Sequence, residues 1–314
     1  MLAIVAPGQG AQTPGFLEPW LELPAFAARL SAWSVVAGID LIELGTKGDA
    51  EAIKDTAVAQ PLLVAAGLGA LGELLGTPKD EDPTAPGAGL LAGHSVGELT
   101  ATAAAGVLSA EAAMAFVAAR GRGMAEASAV TPTGMTAVLG GDREAVLAKL
   151  AEHGLTPAND NGAGQIVAAG TMAQLAALAE DGPEKARLIP LSVAGAFHTT
   201  HMAPAVEQLA ALAATLTPAD PVTTLLSNAD GAAVATGAEV LDRLVRQVSN
   251  PVRWDLCMQS MLGANVTGII ELLPGGTLVG LAKRGMRGVA SIAVKTPDDL
   301  AAAHELLSSV GGQS

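Results

Sequence analysis

"LLAGHSVGELT", residues 90–100, is the stretch on which the reading of the chain turns. Gly93, Ser95 and Gly97 form G-x-S-x-G, entered from a short apolar run and left toward an alanine-rich one. The pattern fits a strand, a sharp turn carrying Ser95, and a helix. A serine hydroxyl is a poor nucleophile until a base takes its proton and donors stabilise the oxyanion. Glycines on either side permit a cramped turn, and a helix starting there aims its free N–H groups at the reacting centre. The same three residues also describe an ordinary serine capping an ordinary helix, so the surroundings must decide.

Outward from the motif, "LAIVAP" (2–7) is an apolar run closed by Pro and Gly, expected as a buried strand. Residues 57–76 read as a buried helix and the Pro-, Gly- and Asp-rich 76–89 as a surface loop. "LLAG" (90–93) is then a strand, and 96–105 a helix ending at Gly106. Ser109 is placed to cap a helix over 110–126 that carries Arg120. From 127 to 195 the texture alternates. "GMTAVLGG", "GQIVAAG" and "ARLIPLSVAG" are expected as strands, with helices at "DREAVLAKLAEHG" and "TMAQLAALAEDG" between them. That order suggests a small inserted α+β subdomain, 127–195, with the larger α/β domain built from 1–126 and 196–314. A helix is expected over 202–217. "TGAEVLDRLVRQVSNP" opens on Thr236 and Glu239 at capping-box spacing and stops before Pro251. Strands at 266–273 and 289–294 and a helix at 298–309 complete the reading.

Half of the 314 residues are hydrophobic, yet aromatics are 2% and tyrosine is absent, so the core must be aliphatic. The scarcity of aromatic rings argues against base stacking, and the net charge of −14 against binding nucleic-acid phosphates. Cys257 is the only cysteine, which excludes a disulfide or a thiolate zinc site within the chain. The N-terminus lacks a basic n-region, so no signal peptide is read. The most apolar stretch, 57–76, is interrupted by Gln60, Pro61 and Glu73 and reads as core, not membrane span. A soluble, cytoplasmic protein is expected.

A base for Ser95 must come from five histidines. His94 is beside the serine, where an elbow would turn it away. His153 ends a helix, where a cation suits the macrodipole. His304 lies within a helical pattern. His198 and His201, in "AGAFHTTHMAPAVEQL", fall between a strand and a helix, where a catalytic loop belongs. Their H-x-x-H spacing also allows a metal reading, but no third His or Cys accompanies it, and no metal is assigned.

These segments together resemble the malonyl-CoA:acyl carrier protein transacylases of fatty-acid synthesis and the related polyketide acyltransferase domains. The resemblance runs nearly end to end. It rests on "APGQGAQ" (6–12), "AQPLL" (59–63), "GHSVGE" (93–98), "ARGRGM" (119–124), "NGAGQIVAAG" (161–170), "GAFHTTHM" (195–202), "VRQVSNPVRW" (245–254) and "PGGTLVGLAKR" (274–284). It implies a hydrolase-like α/β domain with a central, mainly parallel sheet and a small inserted ferredoxin-like subdomain. It further implies that Ser95 takes the acyl group and His198 is base, then acid. Arg120 would pair with the free malonyl carboxylate, and the N–H groups of Gln9 and Val96 would form the oxyanion hole. Gln247 would orient His198 through its main-chain carbonyl. Gln60 and Phe197 would line the pocket, Phe197 crowding an α-methyl group. No cofactor is implied beyond malonyl-CoA as substrate and phosphopantetheine on the acceptor.

Two other classes stay open from the residues. A serine esterase or thioesterase would release the acyl group to water. An α/β-hydrolase order would then require Ser95, an acid such as Asp255, and His304, which sits in a helical pattern. A non-catalytic binding protein would make Ser95 and His198 coincidental. An acidic carrier protein as partner is also suggested by charge. Arg243, Arg246, Arg253, Lys283, Arg284, Arg287 and Lys295 face only Asp255 and Glu271 in that segment, and docking is expected near Lys283, Arg284 and Arg287.

Overall fold

The computed structural model describes residues 1–193 and 195–311. Strand β1 (Leu2–Ala6) is buried throughout, as its apolar run requires. Helices α1 (Pro24–Ala37) and α2 (Leu41–Lys47) follow, then α3 (Thr56–Leu75). By length and composition α3 is long and apolar enough to cross a membrane, but it lies mostly inside the protein. Strand β2 (Leu90–Gly93) leads into α4 (Gly97–Ala104). Helix α5 (Ala110–Val130) starts at the expected cap, Ser109 Oγ accepting from Ala112 N–H, and runs past 126 to Val130.

The alternating segment contains β3 (Thr133–Gly140), α6 (Arg143–Glu152), β4 (Thr156–Asp160), β5 (Gln165–Thr171), α7 (Met172–Glu180) and β6 (Ala186–Pro190). β4, "TPAND", is not expected from the sequence, being polar and opened by a proline-containing stretch. The last strand ends at Pro190, short of the expected 195, and Ala194 lies outside the described residues, as do 312–314. The spatial order β6-β3-β5-β4 is antiparallel at every pairing. With one helix in each crossover, this is the ferredoxin-like arrangement.

Helix α8 (Ala203–Ala213) is shorter than the expected 202–217, and α9 (Gly237–Gln247) begins at Thr236, whose hydroxyl accepts from Glu239 N–H at 3.3 Å. Strand β7 (Val252–Arg253) then pairs parallel with β4, so a late segment adds a fifth strand to the small sheet. Helix α10 (Trp254–Gly263), strand β8 (Gly268–Glu271), helix α11 (Thr277–Gly285), strand β9 (Ala290–Ala293) and helix α12 (Asp299–Gly311) close the chain. The main sheet has order β2-β1-β8-β9 and is parallel at every pairing. Its first three strands are buried along their whole length, which is why they read as unbroken apolar runs.

The two glycines of the motif are demanded by this geometry. A Cβ on Gly93 would meet the backbone of Gly97 at 2.0 Å, and one on Gly97 would meet Ala6 O at 2.2 Å and Pro7 O at 2.7 Å. Backbone at the edge of a parallel sheet cannot move aside as a side chain can. Gly97→Ala is therefore expected to destabilise the fold by about 3 kcal/mol, the upper part of the usual range for overpacking. Urea unfolding checks this, and a midpoint equal to that of the parent would mean the elbow has slack.

Candidate active site

Ser95 sits between β2 and α4 at φ +53°, a left-handed conformation that a non-glycine residue holds only when its surroundings enforce it. The enforcing contact is Asn228. Its Oδ1 accepts from Ser95 N–H at 2.7 Å, and its Nδ2 donates to Gly93 O at 2.7 Å. Asn228 is fully buried, and nothing in "LLSNADG" marks it. Because Asn228 occupies the Ser95 N–H, the free donors facing the serine come from other residues.

His198 is also left-handed, at φ +60°, and buried. Its Nε2 lies 2.7 Å from Ser95 Oγ, and its Nδ1 lies 2.8 Å from the main-chain carbonyl of Gln247. A carbonyl only accepts, so Nδ1 carries the proton and Nε2 turns its lone pair to the serine hydroxyl. Burial, followed by the nearby Arg120 charge, pushes the His198 pKa down to about 3. The imidazole is thus neutral and ready to accept a proton. Both ring nitrogens are engaged, which leaves none for a metal in the H-x-x-H reading. His201, on the next short turn, is half-buried.

Arg120 reaches the same point from α5 with its side chain buried. Nη1 donates to Gln60 Oε1 at 2.5 Å, and Nη2 to Gln247 Oε1 at 2.9 Å and Ser95 Oγ at 3.4 Å. All three acceptors are uncharged. Burial lowers its pKa to about 10, so the guanidinium remains charged at neutral pH. A desolvated cation held by neutral groups is prepared for an arriving anion, and its planar fork suits a carboxylate. Arg122, two residues on, is exposed.

Behind Gln247 lies Glu98, the last residue of "GHSVGE", to which the sequence reading gave no role. It is buried, accepts from Gln247 Nε2 at 2.6 Å and from Asn228 N–H at 3.1 Å, and burial raises its carboxyl pKa to about 7.

Ser95, His198 and Arg120 open onto a cleft of about 280 Å³ that Gln9, Gln60, Val96 and Phe197 also line. The far wall comes from the small sheet and includes Asn159 and Asn161. His94, expected to turn away, instead lines this cleft, with Nε2 2.8 Å from Asn161 Oδ1. The start of α11 forms part of the rim through Thr277, Leu278 and Leu281.

The hydrolase-order alternative does not assemble. Asp255 is paired with Arg253 at 2.8 Å, and His304 is exposed on α12 with Nδ1 toward Leu300 O. The charge expectation needs correction in part. Arg243 is paired with Asp230 and Glu239, Arg246 with Asp242, and Arg253 with Asp255, so these three do not add to a free basic surface. For Arg243 and Arg246 the misreading arose because Asp230, Glu239 and Asp242 lie upstream of the segment counted. Lys283, Arg284 and Arg287 are exposed at and just beyond the C-terminal end of α11.

With this geometry in view, the likeness to known proteins is extensive. The family described as "Acyl transferase domain" matches residues 4–301. A malonyl CoA-acyl carrier protein transacylase from Mycobacterium tuberculosis is 54% identical over 304 residues, 96% of this chain and 98% of that protein. The crystal structure of MCAT from Mycobacterium tuberculosis covers 96% of this chain and 98% of its own at TM-score 0.89 and 53% identity. A type II polyketide acyl carrier protein has been solved with its malonyl-transacylase; that match covers 97% of this chain and 99% of the other at TM-score 0.88 and 30% identity. The chain belongs to the acyl transferase domain family and, within it, to the malonyl CoA-acyl carrier protein transacylases.

Proposed function

We propose that this protein carries a malonyl group from malonyl-CoA to the phosphopantetheine thiol of an acyl carrier protein through an ester on Ser95. The observation that carries the proposal is the charged, buried Arg120, 3.4 Å from Ser95 Oγ and held only by neutral acceptors. In this reading Ser95 Oγ attacks the malonyl thioester while His198 Nε2 takes its proton. The carbonyl oxygen becomes an oxyanion facing the N–H groups of Gln9 and Val96. His198 returns the proton to the departing CoA sulfur. The carrier's thiol then attacks the ester by the same steps in reverse, passing its proton to His198 and then to Ser95. Gln247 fixes the imidazole through its carbonyl, and Gln60 and Phe197 shape the acyl pocket. Exchange of thioester for ester and back is nearly balanced, so positioning and oxyanion stabilisation suffice without a metal or nucleotide. The role is supply of extender units for fatty-acid synthesis, in the cytoplasm. The main unit, 1–126 and 196–314, would carry the nucleophile and base, with 127–195 covering the cleft.

Intact mass after brief exposure to malonyl-CoA tests the reading. A malonyl adduct on the parent protein and none on Ser95→Ala is expected. Addition of carrier protein must then move the group to the carrier. Free malonate in its place would make the protein a thioesterase.

Carrier docking is proposed at Lys283, Arg284 and Arg287. α11 is anchored by Glu271, whose carboxylate accepts from the N–H groups of Gly276, Leu278 and Val279. Its first turn borders the cleft and its last turn carries Lys283 and Arg284. Reversing the three charges is expected to slow transfer to the carrier by about 10-fold or more while leaving acylation by malonyl-CoA nearly unchanged, and the defect should shrink at high salt. Separate rates for the two half-reactions decide it. Equal losses in both would remove this docking surface.

A further inference from the structure

Glu98 is a buried carboxylate that the transfer chemistry above does not use. It touches neither the serine nor the histidine. Its Oε2 accepts from the Gln247 side-chain amide at 2.6 Å and from Asn228 N–H at 3.1 Å. On the other side of that amide, Gln247 Oε1 accepts from Arg120 Nη2 at 2.9 Å. Arg120 only donates and an ionised carboxylate only accepts, so a single orientation of the Gln247 amide satisfies both neighbours. Turned over, its NH₂ would face the guanidinium and its oxygen the carboxylate. The amide therefore works as a relay between a buried anion and a buried cation that do not touch. We propose that Glu98 is a positioning residue for malonyl recognition, fixing the Gln247 amide and thereby holding the Arg120 guanidinium beside Ser95.

The arrangement answers a physical problem. A direct salt bridge to Arg120 would occupy the fork that the substrate carboxylate must take. With no anion nearby, the buried guanidinium would be costly to keep charged. A carboxylate one amide away steadies the cation without itself taking a place on the fork. The same Glu98 oxygen also holds the backbone of Asn228, whose side chain braces Ser95, so one group sets the register of both. Glu98 and Gln247 also line a second cavity of about 580 Å³, separate from the cleft that holds Ser95.

The inference rests on the malonyl-transfer reading, and its test separates the two. Acyl-enzyme formation is measured with malonyl-CoA and with acetyl-CoA, at a pH above 7 so that Glu98 is ionised. Glu98→Met removes the acceptor at similar length. It is expected to lower malonyl kcat/KM by about 100-fold and the acetyl value by no more than about threefold. Glu98→Gln keeps one oxygen for Gln247 and should stay within about 10-fold of the parent on malonyl-CoA, a rescue that a loss of packing would not give. In an Arg120→Ala background, Glu98→Met should leave the malonyl-to-acetyl ratio where Arg120→Ala alone put it, because the two act as one unit. Gln247→Met cuts the relay at its middle with Glu98 in place. It should shift the ratio in the same direction, and it decides the matter if Glu98→Met does not fold. Equal losses on both acyl donors, or an undiminished Glu98 effect without Arg120, would overturn the inference. Failure of the parent to form a malonyl ester would instead strike the underlying reading.

Discussion

Ser95→Ala is expected to leave no acyl-enzyme at all, and His198→Ala to slow its formation by about 10³-fold or more, the scale seen when a serine loses its base. The geometry ranks the histidines without ambiguity. His198 Nε2 is 2.7 Å from the hydroxyl and its other nitrogen is fixed by the Gln247 carbonyl. His201→Ala should remain within about threefold of the parent, since it sits on the next short turn and does not line the cleft. Single-turnover acylation followed by intact mass measures all three, and an exchange of rank between the two histidines would refute the assignment of the base. The depressed His198 pKa adds a pH signature. An ordinary imidazole gains a proton as pH falls through 6.5, whereas this one stays neutral to about 3. With acetyl-CoA, whose acylation does not call on the Glu98 carboxylate, the rate should therefore hold as pH is lowered through 6.5. A limb in kcat/KM at that value which vanishes in His198→Ala would show that burial does not control the imidazole.

Arg120→Ala is expected to lower malonyl kcat/KM by about 10³-fold while acetyl-CoA activity is retained or rises. Malonyl carries a carboxylate that acetyl lacks. A desolvated guanidinium facing acetyl is left without an anion, which is unfavourable, so the parent should discriminate strongly for malonyl. Removing the charge makes the pocket neutral and withdraws both the reward for malonyl and the penalty on acetyl. Arg120→Lys should recover little, because an ammonium cannot reach Gln60, Gln247 and a carboxylate in one plane. Arg122→Ala, exposed on the same helix, should match the parent. The ratio of kcat/KM for the two acyl donors across these proteins is the measurement. A ratio unmoved by Arg120→Ala would mean that the carboxylate is read elsewhere.

Legibility in the sequence followed locality. β1, β2 and β8 are apolar runs because both faces of a parallel sheet are covered, and α5 and α9 declare their starts through Ser109 and Thr236. β4 escaped notice because "TPAND" has neither alternation nor apolarity; pairing with β5 makes it a strand. Helices α10 and α11, which begin without a side-chain cap, are not read from the sequence. At the site, the elbow was visible because Gly93, Ser95 and Gly97 are contiguous. Arg120 would have passed for a surface helix arginine without the family resemblance. Asn228 and Glu98 could not be found locally. Each acquires its part only through contacts made across more than a hundred residues of chain, Ser95 to Asn228 and Gln247 to Glu98.

Ser95 and His198 both hold positive φ, at +53° and +60°. Side chains with a Cβ sit there at a cost of about 1–3 kcal/mol each, a cost that glycine escapes. The two positions proposed to perform the chemistry are thus positions where stability and activity would pull in opposite directions. Glycine at either would relax the backbone and silence the protein. A population selected for heat tolerance alone drifts toward inactive variants at these two codons, and only selection for turnover keeps serine and histidine in place.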